Sequence, residues 1–305
     1  MDVLIRRATE ADLETAYEVQ NEASAAAGLA IGNVGDTEAG LVPAKFRHEC
    51  RHGRFLVAEV DGRIEGFGAV FERENIAFLA TFYVRPGSQA EGRRIGQRLL
   101  DALFDVPASV HCVVSSHVHR ALAIYARNGM LPRWPLFMIE ARSQDLSFSC
   151  ADGYSVEPAD PDDPALVEWD RAIAGRGRRS EDQQYWLDEY SALPYWILRG
   201  ESPVGYGYVQ KLYESADATW HPETAMIGPF GVRESPDAVP ALFALIRQVS
   251  TMAPRLTIDI PGPHPALPAL FDAGFRIFYQ ATFCSNMNDH FFDTDLYIPA
   301  DTITF

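Results

Sequence analysis

The stretch Phe82-Tyr83-Val84-Arg85-Pro86-Gly87-Ser88-Gln89-Ala90-Glu91-Gly92-Arg93-Arg94-Ile95-Gly96-Gln97-Arg98-Leu99-Leu100 decides how the chain is read. A β-prone apolar run ends at Val84, Pro86-Gly87 breaks it, and from Ile95 to Phe104 apolar residues recur at helical spacing. A strand therefore passes into a helix through a glycine-containing loop. Glycines at a helix mouth let backbone N–H groups converge on an anion, and the positive end of the helix dipole adds to the attraction. Arg93, Arg94 and Arg98 add side-chain donors suited to phosphate oxygens.

Upstream, Val3 to Ala8 alternates like a strand, and Thr9-Glu10-Ala11-Asp12 opens a capped helix to about Ala23. Phe55 to Val60 and Ile64 to Phe71, joined at Asp61-Gly62, form a hairpin, and Ile76 to Val84 follows as the next strand. Downstream, Val110 to Val114 is a short buried strand. Ala121 to Tyr125 is helical up to the stop at Asn128-Gly129, and Leu136 to Glu140 closes the set.

The polar stretch from Ala141 to Gly153 lies at the midpoint and reads as a domain boundary, giving domains at 1–143 and 152–305. After it the layout restarts: a strand at Tyr154, a helix with Leu166, Val167 and Trp169, and a hairpin turning through Gly200. Its second arm, Val204-Gly205-Tyr206-Gly207-Tyr208-Val209, mirrors Ile64-Glu65-Gly66-Phe67-Gly68-Ala69-Val70. Strand, helix, strand, helix and strand complete both halves, as a duplication requires. In the second half the connection after Val232 is shorter, Pro236 and Pro240 remove N–H donors, and Leu270 stands in the place of Tyr125.

The ordered set in the first half resembles the GNAT superfamily of N-acetyltransferases. It comprises strand, helix, hairpin, a strand ending in Val-x-Pro, the loop and helix, another strand, and a helix with Ala123-Ile124-Tyr125 ahead of Gly129. The resemblance covers about residues 3–140 and is weaker over 153–285. It implies an α/β fold of two tandem acyl-CoA N-acyltransferase-like domains, the second degenerate, and an acyltransferase moving an acetyl group from acetyl-CoA to an amine.

By the same resemblance, Phe82, Tyr83 and Val84 lie along the pantetheine arm, and Glu91, Gly92, Arg93, Arg94, Ile95, Gly96 and Gln97 cradle the pyrophosphate. Tyr125 is the acid for the leaving thiolate. The sequence departs from the family pattern at Glu91 and at Arg94, where the loop usually carries Gly. The strand from Ile76 to Phe82 lacks the carboxylate that some members use as general base. Glu72, Glu74, His117 and His119, reaching the amine through water, are the remaining candidates for that base, and each reads first as a solvated turn residue. The alternative to an enzyme is a non-catalytic acyl-CoA or metabolite-binding protein of the same fold.

Composition narrows the partners. With 26 Lys+Arg against 42 Asp+Glu the formal charge is −16, which argues against a nucleic-acid backbone and suits a cationic small-molecule amine or an amino terminus. The four cysteines, Cys50, Cys112, Cys150 and Cys284, show no metal-ligand or disulfide spacing, so no metal site is expected and a reducing compartment is. The N-terminus lacks the apolar stretch of a signal peptide or membrane span, pointing to a cytoplasmic protein without membrane partners. Tyr195, Trp196, Tyr206 and Tyr208 either line a pocket shared between the halves or are core aromatics. Gly175 to Arg179 is either an anion site or a solvated loop between helices.

Overall fold

The computed structural model describes residues 3–28, 42–89, 94–175, 177, 179–212, 223–287, 292–302 and 304. The chain folds into two compact units, the first Met1–Pro132 with Cys284–Met287, the second Arg133–Phe283 with Asn288–Phe305.

The first unit contains β1 (Val3–Arg7), α1 (Leu13–Ala26), α2 (Ala44–His52), β2 (Arg54–Val60), β3 (Arg63–Arg73), β4 (Ile76–Val84), α3 (Ile95–Leu103), β5 (Val110–Ser115) and α4 (His119–Arg127). Its strands lie in the order β1-β2-β3-β4-β5, antiparallel except for the parallel pair β4 and β5. Asp61 and Gly62 both take positive φ, 53° and 78°, as the two-residue hairpin turn demands. Strand alternation sends side chains to two cores. On one face Leu13, Ala16 and Val19 of α1 and Phe46 of α2 pack on Phe55, Phe67 and Ala69. On the other, Ile95, Leu99 and Leu103 of α3 and Tyr125 of α4 pack on Val70, Leu79 and Val84. Helix α2, which the sequence reading passed over, is charged and buries His48 and Glu49 with Phe46, so it lacks the apolar stripe that announces a helix.

The second unit contains β6 (Leu131–Arg142), β7 (Tyr154–Pro158), α5 (Pro164–Ala174), α6 (Arg179–Tyr190), β8 (Leu193–Arg199), β9 (Ser202–Lys211), β10 (Thr224–Val232), α7 (Ser235–Val249), β11 (Arg255–Pro261), α8 (Leu267–Asp272), β12 (Arg276–Ser285) and β13 (Tyr297–Ile298). The order is β12-β6-β11-β10-β9-β8-β7, with β13 on β10. The units therefore do not divide where domains 1–143 and 152–305 were expected to meet. Strand β6, expected to close the first domain, pairs antiparallel with β11 from Leu136 to Arg142, and Ile139 and Ala141 join the second core. A polar stretch reports where chain is exposed, whereas the choice of a strand's partner is made by long-range hydrogen bonds.

The duplication is visible in register. Gly66, Phe67 and Gly68 face Val84, Tyr83 and Phe82, as Gly205, Tyr206 and Gly207 face Val232, Gly231 and Phe230. A Cβ on Gly68 would meet Leu103 Cδ1 at 2.6 Å, and one on Gly207 would meet Leu245 Cδ2 at 2.5 Å, so each second glycine admits a helix leucine against the sheet. Four parallel pairs join Ile76–Leu79 to Val110–Val113, and four join Thr224–Ile227 to Arg255–Ile258. Met130 N donates to Tyr125 O and Phe275 N to Leu270 O, both at 3.0 Å, past positive-φ Gly129 and Gly274, so Tyr125 and Leu270 are true equivalents.

Candidate functional site

The site begins where β4 and β5 part. Their last pair is Leu79 with Val113, yet β4 continues against β3 as far as Val84. From Ala80 onward the β5-side edge of β4 has no strand partner among the described residues. Backbone N–H and C=O groups on that edge are therefore not taken up by pairing with β5. Val70 faces Leu79 and Ala69 faces Thr81, which makes Ala80 an inserted residue. A bulge of this kind reverses side-chain alternation. Leu79, Phe82 and Val84 accordingly face the α3 and α4 core, while Thr81 and Tyr83 face α1 and α2.

Helix α3 starts at Ile95, and Arg94 caps it in the left-handed conformation, φ 53° and ψ 35°. A non-glycine residue thus holds the left-handed conformation here, at a cost of about 1–2 kcal/mol. A Cβ on Gly96 would lie 3.7 Å from Ile124 Cδ1, Phe82 Cζ and Val84 Cγ2, so this glycine borders the open strand edge and alanine would still fit. Arg98 turns away from the helix mouth and donates to Val3 O at 2.9 Å, which removes it from the phosphate donors. Gln97 Nε2 donates to Asp101 Oδ1 at 2.6 Å and Asn128 Oδ1 at 3.0 Å. Glu91, Gly92 and Arg93 lie outside the described residues.

Tyr125 is buried on α4, with its ring edge-on to Phe82 at 6.3 Å between centroids. Burial, with smaller contributions from Tyr83 and Cys284, pushes its phenol well above the ordinary value, so it keeps its proton at neutral pH and is available as a donor. The base candidates fare differently. Glu72 and Glu74 sit at the Ile76 end of β4, about 26 Å of strand from Val84. His117 and His119 are exposed at the start of α4, at the correct end of the sheet. The sequence reading missed a further pair: Thr81 Oγ1 donates to Glu49 Oε2 at 2.9 Å, both buried. Nothing in the pattern of β4 betrays the bulge that turns Thr81 toward α2.

In the second unit the corresponding edge is filled. The pairs of β10 with β11 end at Ile227, and beyond them β13 pairs Ile298 with Phe230 and Tyr297 with Gly231. Val232 N donates to Leu296 O at 3.0 Å, and Gln210 Nε2 donates to Gly228 O at 2.8 Å and Ala300 O at 3.1 Å. Thr304 accepts from Trp186 Nε1 at 2.9 Å and donates to Asp301. Burial and the neighbouring Asp301 push the Asp259 carboxyl up to about 8.

Tyr195, Tyr206 and Tyr208 are core residues, and Tyr206 donates to Asp170 Oδ1 at 2.5 Å; half-buried Trp196 donates to Asp163. The Gly175–Arg179 segment joins α5 to α6, with Arg176 and Arg178 outside the described residues. A cavity of about 620 Å³ opens at the end of β10 beside Ile173, Arg233, Phe292 and Asp293. At the matching end of β4, Arg85 instead binds Ile64 O and the carboxylates of Glu18 and Glu22 on α1. Every residue lining that cavity belongs to the second unit.

Among the described residues no cluster of three metal-ligating side chains occurs, and no helix is long and apolar enough to cross a membrane. Residues 51–129 match the acetyltransferase (GNAT) domain family. No curated protein sequence matches the chain. Among solved structures, an acetyltransferase candidate from Pyrococcus horikoshii is similar over 99% of this chain and 96% of its own, at 15% identity and a TM-score of 0.73. A GCN5-related N-acetyltransferase from Anabaena variabilis matches over 93% of this chain and 72% of its own, at 14% identity and a TM-score of 0.61. A tandem GNAT protein from the clavulanic acid biosynthesis pathway matches over 95% and 99%, at 15% identity and a TM-score of 0.58. At such identities the likeness is one of fold. Residues 51–129 thus match a GNAT-family domain, and the chain as a whole has the fold seen in a tandem GNAT protein.

Proposed function

We propose that the first unit binds acetyl-CoA and transfers its acetyl group by direct attack of an amine, on a small molecule or an amino terminus. The observation that carries this reading is the parting of β4 from β5 after Leu79, beyond which β4 runs on to Val84 with no strand on that side among the described residues, beside Gly96 and Tyr125. The residues fit the co-substrate: the strand edge offers amide partners to pantetheine, and the N–H groups at the start of α3 suit a pyrophosphate. Gly96 keeps the space between α3, Phe82 and Val84 free of a side chain. When bound, acetyl-CoA supplies an activated thioester carbonyl. The chain's part is to hold that carbonyl against backbone N–H donors, keep water out with Phe82 and Ile124, and hold a proton on Tyr125 for the sulfur. A net charge of −16 favours a cationic acceptor, and four cysteines that form no disulfide suit a reducing, cytoplasmic setting.

Calorimetric titration of acetyl-CoA into wild type, Gly96→Ala and Gly96→Phe tests the reading. One site per chain is expected, kept in the alanine variant and lost in the phenylalanine variant while cooperative melting persists. No binding to wild type overturns it. Binding without thiol release across a panel of amines supports the non-catalytic acyl-CoA-binding alternative, which the absence of a carboxylate on β4 favours.

A further inference from the structure

The β4 bulge and helix α2 together bring an acid–base pair to the acceptor side of the strand. Without the inserted Ala80, Thr81 would point into the α3 and α4 core with Leu79. With it, Thr81 points to α2 and its hydroxyl donates to Glu49 Oε2 at 2.9 Å. Glu49 is 0% exposed and Thr81 6%, so a carboxylate is held under the sheet with a hydroxyl above it, two residues beyond the last β4–β5 pair. Tyr125 and Phe82 occupy the opposite face of the same strand segment. The two faces of this strand segment thus carry Tyr125 on one side and the Thr81–Glu49 pair on the other. In the second unit, counting back from the matched Val84 and Val232, the position of Thr81 is Pro229, which has no hydroxyl. The copy whose edge is filled by its own tail has also lost this pair.

We propose that Thr81 and Glu49 form the relay that takes the proton from the acceptor amine, Thr81 touching the nitrogen and Glu49 acting through it as a positioning residue and final acceptor. This rests on the acyl-transfer reading above. The ammonium proton passes to Thr81 Oγ1 as the threonine's own proton passes to Glu49. The freed nitrogen pair forms the C–N bond to the carbonyl carbon, the C–S bond breaks with its electrons on sulfur, and sulfur takes the Tyr125 proton. Nitrogen's second proton restores Tyr125, and Glu49 releases its proton to water. One ammonium and one thioester give one amide, one thiol and one proton.

The test compares wild type with Glu49→Gln, Thr81→Val and Thr81→Ser in the full chain. Acetyl-CoA affinity by calorimetry should be the same within about threefold in all four. Carbon NMR of side-chain-labelled glutamate, with Glu49 assigned by its loss in Glu49→Gln, should show the Glu49 titration moving to higher pH in Thr81→Val, because a donor to the carboxylate is gone. Thiol release from acetyl-CoA with spermidine, glycinamide and butylamine should lose about 100-fold in kcat/KM in Glu49→Gln and Thr81→Val and lose its acidic limb, with Thr81→Ser near wild type. A purely structural bond would lower melting temperature and leave the pH profile unmoved, overturning the proposal. So would Glu49→Gln at wild-type rate, or bound acetyl-CoA without thiol release from any of the three amines. Failure of wild type to bind acetyl-CoA overturns the acyl-transfer reading itself, and the relay with it.

Discussion

The end of β4 in the first unit and the end of β10 in the second are the same strand end in the same register, with different neighbours. Both leave their parallel partner after four pairs, and both run on beside a glycine-patterned strand. On β4 the vacated edge has no strand partner among the described residues and adjoins Gly96 and Tyr125. On β10 it is paired by Tyr297 and Ile298, and Leu270 has replaced the tyrosine. An unpaired strand edge inside a sheet exposes donors and acceptors that must be satisfied, and in the second unit β13 satisfies them. The connection that follows has changed with it, from a step of 19 positions between Val84 and Leu103 to one of 13 between Val232 and Leu245, with Pro236 at the start of α7.

Four substitutions sharpen or break this comparison. Tyr297→Ala removes a fully buried ring from the tail and should cost the second unit about 3–5 kcal/mol in chemical denaturation. Appearance of a second acetyl-CoA site in that variant would show that the tail alone keeps the units apart in function. Tyr125→Phe should lower turnover about 100-fold with acetyl-CoA affinity nearly unchanged. A large loss of affinity would instead make Tyr125 a packing residue like Leu270.

Asp259→Asn addresses the filled edge through pH. The Asp259 carboxyl is raised to about 8 in the folded chain by burial and Asp301, against 3.8 for the free group. Its contribution to stability is therefore complete below about pH 4 and lost as pH rises toward 8. Buried His264, lowered from 6.5 to about 3, acts with the opposite sign, its contribution present above 6.5 and lost as pH falls. The difference between wild type and Asp259→Asn isolates the carboxyl, and equal slopes from pH 4 to 8 would exclude it. Arg94→Gly should have the smallest effect. It relieves a left-handed non-glycine residue and should stabilise the first unit by about 0.5–1 kcal/mol in thermal melts. A loss of stability would mean that the arginine side chain holds the loop more strongly than its backbone strains it.

Much of this was legible in residue order. The Gly66-Phe67-Gly68 and Gly205-Tyr206-Gly207 strands, the helix stops at Gly129 and Gly274, and the exchange of Tyr125 for Leu270 are local signals carried by residues whose backbone needs are distinctive. Helix α2 was not legible, because a nine-residue helix that buries His48 and Glu49 reverses the usual polarity of its faces. Nor was the direction of Thr81, since one inserted residue in β4 changes which face every later side chain takes. Arg98 looked like a phosphate donor by position, but the carbonyl of Val3, 95 residues earlier, engages it.

The sequence by itself determined the kinds and order of most of the elements and the repeat of one layout in both halves, because periodicity, turn chemistry and glycine placement act within a few residues. Only the tertiary structure decided which unit β6 joins, what fills the edge of β10, and that Glu49 meets Thr81. Those outcomes depend on pairings between residues 30 to more than 100 positions apart, for which strand and helix patterns carry no address.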